Sequence, residues 1–423
     1  FVNVAVGAEA LDANTTGDKN VAVGKGALSS CNEDLNTAVG FDALVANTAG
    51  FCNVAFGAQA LEASTTAARS TALGYGALLS NTTGNYNVAA GYYSLKSNTT
   101  ASNNCAFGYK SLEANTTGVE NTAFGDHALL NNTTAQQNTA IGIEALKANT
   151  TGQFQTAVGA WALTSATTGS HNTCIGRSAG IAITDGEMNV AVGSNALSTA
   201  TGGDFHVAVG YGALNACTGD EGNVGVGYRA GVNVSSGQFN TLIGCNAGDV
   251  ITSGQRNTII GKNADTSSAI VHDELVIHAG NNTVTGFGNG TGIIGAHKSN
   301  TAAGEIYRVG NSEHWDTTSD ERIKKDITDS TQGLSIINNI KVRNYKYRTA
   351  DEITVDELKK YNQIDTGTDT KIGVIAQELE TILPKCVITN EVGLKSVQSS
   401  SFIYYLINAV KELSAKVEAL EAG

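Results

Sequence analysis

Along the first 263 residues, short apolar triplets alternate with polar turns. One unit reads Asn-Val/Thr-Ala-Val-Gly-x-x-Ala-Leu-x-x-Asn-Thr-Thr-Gly-x-x, as in Asn20–Leu28, Asn53–Leu61, Asn121–Leu129 and Asn189–Leu197. The second slot is β-branched almost throughout (Val4, Val21, Thr37, Val54), and the fourth is apolar in all sixteen units (Val6, Phe56, Leu73, Ile260). Side chains alternate along a strand, so the second and fourth slots share one face and the third slot, mostly Ala, takes the other. The Ala slot is expected to face a narrow space and to suit close packing between subunits. The Gly that follows permits a positive φ or a close backbone approach at a corner. The Ala-Leu pair after it, as at Ala145-Leu146, is expected to form a second wall.

Every interval between the corner glycines, from Gly7 to Gly261, is 17 residues, except the 16 between Gly24 and Gly40. A unit this short cannot bury its own apolar face, so the units must stack. The predicted fold is therefore mostly β. It is a parallel β-roll or solenoid shaft over residues 1–263, with one strand per coil. Sixteen coils at ~4.8 Å give a shaft of about 75 Å. So thin a roll has a small core and gains from side-by-side association. Asn opens thirteen of the sixteen units; Ser70, Gln155 and His206 are the exceptions. Stacked at one slot, these amides would form a ladder that satisfies turn backbone groups. The Asn-Thr-Thr stretches at Asn14, Asn81, Asn98, Asn115, Asn132 and Asn149 read as glycosylation sequons, but their fixed place in the repeat favours a turn role.

Residues 264–318 depart from the glycine period, and a β-structured neck is expected there, with Leu275-Val276-Ile277 and Gly292-Ile293-Ile294-Gly295 as strands. His272, Glu274 and His278 match no metal-ligand spacing and read as surface residues, so no metal site is expected. From Ser319 onwards charge becomes dense and glycine rare. In the last stretch, Ile403, Leu406, Val410, Leu413, Val417 and Leu420 are spaced 3, 4, 3, 4, 3. That is an a/d seam, predicting a coiled-coil helix over 403–421 that could register three chains. Packing of its first turns on its own domain is the alternative.

Bulk composition narrows the function. A formal charge of -13 argues against non-specific nucleic-acid binding. No run of about 18 apolar residues exists, so no membrane insertion is expected. Forty-nine glycines beside one proline fit regular tight turns. The seven cysteines match no zinc pattern, and Cys105, Cys174 and Cys245 lie in or next to strand slots as small hydrophobes. No carboxylate pair, triad or phosphate loop marks the shaft, and no cofactor is expected. The chain starts at Phe1 inside a repeat, so it reads as the C-terminal part of a longer protein.

The shaft repeat resembles the β-roll heads of trimeric autotransporter adhesins and is similar to repeats in virus and phage fibre proteins. A second resemblance rests on three stretches in order: Ser319-Asp320-Glu321-Arg322-Ile323-Lys324-Lys325-Asp326-Ile327, Val342-Arg343-Asn344-Tyr345-Lys346-Tyr347-Arg348, and Ile372-Gly373-Val374-Ile375-Ala376-Gln377-Glu378-Leu379-Glu380 with Pro384 behind. With a helix following, residues 319–423 resemble the endosialidase-type intramolecular chaperone domain, a self-cleaving serine peptidase module at the C-terminus of phage tail spikes and fibres. That resemblance implies an α+β module. It implies Ser319 as nucleophile, cleavage of the Thr318–Ser319 bond, and assistance from Lys324. A Ser hydroxyl needs a nearby base, and a Lys can serve once desolvation lowers its pKa. Attack on the preceding carbonyl would give an ester by N→O acyl shift, which water then opens. Ser319 or Asp320 could equally cap a helix through Arg322.

Together these features point to a virion fibre or spike, a homotrimer attaching to a host-surface receptor or glycan. Tyr92, Tyr93, Trp161 and Tyr211 are candidate contact residues, because the slots after the Gly are the least constrained. A cellular surface adhesin or extracellular filament using the same chaperone is the alternative.

Overall fold

The computed structural model describes residues 2–218, 221–280, 284–286, 288–297, 306–308, 326–346, 370–389, 395–397 and 402–422. The chain divides into two compact units, Phe1–Thr318 and Ser319–Gly423.

The first unit is a parallel β-solenoid. Sixteen strands of three residues, β1 (Val4–Val6) to β16 (Thr258–Ile260), stack one per coil. Equivalent residues of successive coils are partners, as in Val88↔Cys105, Ala89↔Ala106 and Ala90↔Phe107. The short coil is absorbed without a slip, since Val21 pairs with Thr37. β17 (Ala264–Asp265), β18 (Leu275–Gly280), β19 (Val284–Thr285), β20 (Gly292–His297) and β21 (Ile306–Arg308) follow.

The strand step of 17 persists past residue 263. Thr258 pairs with Leu275, and Leu275 with Gly292, so β18 and β20 add two parallel rungs to the ladder. What ends at Gly261 is the corner glycine: His278 takes the next equivalent place and lies within the longer strand β18, paired with Gly295. A glycine-based period cannot see this continuation. β21 runs antiparallel to β20, and β17 pairs with β19.

The faces of the strand are the reverse of the packing expected for the Ala slot. Ala89, Ala106, Ala123 and Ala140 are fully buried inside the coil, against Leu95, Leu112, Leu129 and Leu146. The second and fourth slots point outward instead: Val54, Phe56, Leu73, Phe124, Ile141, Ile175 and Ile243 are exposed. Seventeen residues enclose so little volume that only Ala fits opposite Leu. Coil fifteen confirms this by exchange: Gly248 takes the leucine place and Leu242 the alanine place, and both interiors are closed. Such volume-conserving swaps are the ones cores tolerate.

Corners follow from close stacking. Gly74 has φ +129°, and a Cβ there would lie 2.6 Å from the carbonyl oxygen of Gly91, so neither the torsion nor the space admits a side chain. Three further corners per coil are left-handed, and most carry a residue other than glycine, for example Lys110 (φ 54°), Leu112 (φ 52°) and Glu120 (φ 59°). Each costs about 1–2 kcal/mol, so an isolated coil is strained and depends on its neighbours.

Two buried amide ladders supply part of that compensation. In the first, the Asn104 backbone N–H donates to Asn87 Oδ1 at 2.9 Å, and Asn104 Nδ2 donates to the Gly118 carbonyl. In the second, Asn98 Nδ2 donates to Asn81 Oδ1 (2.8 Å) and Asn115 Nδ2 to Asn98 Oδ1 (2.9 Å). Asn81, Asn98, Asn115, Asn132 and Asn149 are fully buried, so the Asn-Thr-Thr stretches are turn elements and these amides are shielded from modification in the folded coil.

The second unit is small and α+β. It contains α1 (Leu334–Ile337), β22 (Arg343–Tyr345), β23 (Lys371–Gly373), α2 (Ala376–Glu380), a 3-10 turn (Pro384–Cys386), β24 (Val387–Thr389), β25 (Lys395–Val397) and α3 (Phe402–Glu421). β22 pairs antiparallel with β23, and β24 with β25. Leu379, Leu383 and Cys386 are the buried centre, covered by Ile336, Ile340, Val374, Ile382, Val387, Val397, Phe402 and Tyr405.

Candidate functional site

The second and third sequence stretches of the C-terminal module are brought together. Asn344 of β22 pairs with Ile372 of β23. Arg343 then grips Glu378 of α2 with both arms of its guanidinium, Nη2 to Oε1 at 2.8 Å and Nε to Oε2 at 3.1 Å. The Arg343 guanidinium holds the Glu378 carboxyl below its ordinary value, and Glu378 raises that of Arg343. The pair is exposed, so it orients the two stretches more than it stabilises them. Lys395 of β25 makes a second such tie, 2.6 Å from Glu380 Oε1. Thr318, Ser319 and Lys324, the residues of the implied cleavage chemistry, lie outside the described residues.

Helix α3 carries two apolar stripes one register apart. Phe402, Tyr405 and Ala409 face the module, with Ala409 buried. Glu412 continues this stripe and accepts the Leu334 backbone N–H at 3.2 Å, tying α3 to the start of α1. Asn408 Nδ2 donates to the Ser330 and Gln332 carbonyls. Gly333 leaves room for this approach, because a Cβ there would lie 2.8 Å from Ala409 N. This docking face repeats the 3, 4, 3 spacing of the seam. It was legible in the sequence but hidden by the stronger Ile/Leu/Val stripe beside it. That stripe is solvent-facing: Ile403 is 56% exposed, Val410 62% and Leu420 82%, and Leu406, Leu413 and Val417 are also exposed. The first turns of the helix therefore pack on their own module without using any seam residue.

On the shaft, the residue after the corner glycine forms an aromatic ladder. Tyr75, Tyr92 and Tyr109 stack at 5.5 Å between ring centroids, and Tyr93 lies 4.3 Å from the Tyr92 ring. Side-chain hydrogen bonds with Tyr75 and then Tyr92 push the Tyr93 hydroxyl up to about 12. Trp161 is half-buried under the Arg177 guanidinium at 5.2 Å, and Tyr211 stacks on Tyr228 at 5.5 Å. Of the four aromatic candidates, Tyr92 and Tyr211 are exposed, whereas Tyr93 and Trp161 are half-buried at left-handed corners.

The neck histidines and glutamate differ from expectation. Glu274 and His278 are buried, not surface residues. Glu274 occupies the place of a ladder Asn and accepts N–H groups from Ser267 (2.9 Å) and Gly288 (2.6 Å). Both are buried because β18 continues the ladder, so their slots are interior ones. His272 Nδ1 accepts the Gln255 N–H, which ties that ring to the preceding coil.

Among the described residues, no helix is long and apolar enough to cross a membrane. Residues 319–388 match the family model described as chaperone of endosialidase. No curated protein and no solved structure matches the chain. The segment that matches this family model is preceded by a long parallel β-solenoid of 17-residue coils.

Proposed function

We propose that the chain is the shaft and assembly module of a homotrimeric virion fibre or spike that attaches to a host surface. The observation that carries this reading is the joint presence, in one chain, of a register-degenerate solenoid and an endosialidase-chaperone segment. A tail-fibre-like structural role follows from that pairing; trimerisation, cleavage and host attachment extend it.

The argument is kinetic. Each coil resembles the next, so three parallel chains could associate slipped by one coil and still match apolar to apolar. A C-terminal module that trimerises first sets one register. The unpartnered seam from Ile403 to Leu420 is suited to that step, since three such stripes would bury one another. The outward slots of the shaft, Val54 to Ile243, would then close against the other two chains along the length of the solenoid. Cleavage at Thr318–Ser319, with Ser319 attacking and Lys324 as base, would remove the route back and leave the shaft kinetically trapped. Attachment would use the exposed aromatic ladder, chiefly Tyr92 and its stacking partners, to meet a receptor or glycan.

The test is to express the full chain and its Ser319→Ala variant and to record intact and native masses. We expect a fragment beginning at Ser319 in the wild type alone, with a trimeric shaft. An uncut trimer in both would make the module a permanent trimerisation cap. Uncut monomers in both would overturn the proposal.

A further inference from the structure

Every residue of α3 from Leu413 to Glu421 is exposed. With Ile403, Val410 and Val417 at the a positions of the seam and Leu406, Leu413 and Leu420 at d, the flanking e positions hold Ile407, Ser414 and Glu421. The flanking g positions hold Phe402, Ala409 and Lys416. When two such helices lie parallel and unstaggered, a g residue stands beside the e residue of the following heptad on its neighbour, five positions further along. Phe402 then meets Ile407 of the next copy, Ala409 meets Ser414, and Lys416 meets Glu421. Each pairing matches in kind: apolar with apolar, small with small, cation with anion. Ile407 lies off the seam and is exposed, and Phe402 is only half-buried by its own module, so both have surface left for that contact.

Other arrangements lose these matches. Antiparallel helices bring g beside g and e beside e, where no cation meets an anion. A slip by one heptad puts Lys416 opposite Ser414 or past the end of the helix. A lipid surface is a poorer occupant of the stripe than another copy. Helices that lie on membranes carry a basic polar face, whereas here Glu412, Glu418 and Glu421 outnumber Lys411 and Lys416. We propose that α3 associates with further copies of itself in parallel and without stagger, and that contact between Lys416 of one copy and Glu421 of the next specifies this arrangement. The inference rests on the self-association proposed above and adds its orientation and register. Ile/Val at a with Leu at d is a parallel pattern that suits two strands, so the number of chains comes from the earlier reading and not from α3. An exposed ion pair adds little affinity; its effect is to select one arrangement over those that forfeit it.

The experiment is a double-mutant cycle on the full chain carrying Ser319→Ala, which keeps α3 joined to the shaft in every sample. Chains are refolded from denaturant at graded concentrations, and the assembled fraction is read by native mass. Lys416→Glu and Glu421→Lys should each raise the concentration for half assembly, by about two- to fivefold for each interface. The two together restore opposite charges and should bring it back to near the parent value. Residues five apart on one helix do not face each other, so coupling between these positions arises between chains. High salt should shrink that coupling. Assembly in which the double variant is only the sum of the two single ones overturns the pairing and leaves the proposed assembly standing. Parent chains that stay monomeric overturn both.

Discussion

Leu112 in the shaft is closed off completely by the coils around it, while Leu406 and Val410 on the C-terminal helix present their apolar surface to solvent. The two regions differ in where the partner of an apolar residue comes from. In the shaft the partner lies in the same or the adjacent coil of the same chain, as when Leu112 N donates to the Ala128 carbonyl of the next coil. Stability is then a sum of nearest-neighbour terms and any number of coils will do. In the module the buried centre is small, essentially Leu379, Leu383 and Cys386, and its longest apolar stripe is left over. A repeat can build length without knowing its register; a non-repeating seam of six residues can define a register without building length. The division of labour in the proposed fibre follows from that contrast.

The sharpest way to break the contrast is to put charge on the seam. Leu406→Asp with Val410→Asp would place buried like charges in any three-helix interface, at a cost of several kcal/mol per chain. The docking stripe, Phe402, Tyr405 and Ala409, is untouched, so helix content should hold. We expect loss of trimers by native mass with an unchanged far-ultraviolet spectrum; trimers that survive would mean the seam is not the assembly surface.

Within the shaft, Leu112→Ala tests the self-sufficiency of the coil. It removes a fully buried side chain from an interior too narrow to collapse, so a loss of about 2–5 kcal/mol is expected. In a stacked array the damage is confined to nearest neighbours. Denaturant unfolding should therefore shift, and hydrogen exchange should rise in the coils either side of Leu112 and not in distant ones. Uniform loosening along the shaft would show longer-range coupling than the stack allows.

Much of this organisation was legible because the repeat is strict. The three-residue strands, the corner at every Gly and the Ala-Leu wall all follow from periodicity and glycine chemistry. The direction of the strand faces did not. An Ala-Val alternation states that two faces differ, but only the volume of the coil decides that Ala goes inside. Continuation through β18 and β20 was missed for a related reason. The strand register is carried by backbone pairing, which continues through His278 in the glycine's place and tolerates Glu274 at a former amide. In the module, the Arg343–Glu378 tie joins residues 35 apart, and no local pattern announces it. The second stripe on α3 shared its spacing with the seam and was outweighed by it. The implied cleavage residues rest on the resemblance of the Ser319 stretch and lie outside the described part of the structure.

The smallest effect concerns the left-handed corners, which glycine periodicity also conceals. Glu120 is exposed, has φ 59°, and makes one side-chain contact, from Gln137 Nε2 at 2.9 Å. Its side chain contributes little, but its Cβ crowds the backbone. Glu120→Gly relieves that crowding and gives back part of the gain as chain entropy, whereas Glu120→Val makes the crowding worse through β-branching. The two variants should separate by about 1–2 kcal/mol in denaturant midpoint, glycine being the more stable. Equal stabilities would show that neighbouring coils, and not the local torsion, set the energy of these corners. Residue identity there would then be open to surface function, such as the Tyr93 ring beside the aromatic ladder, at no cost to the shaft.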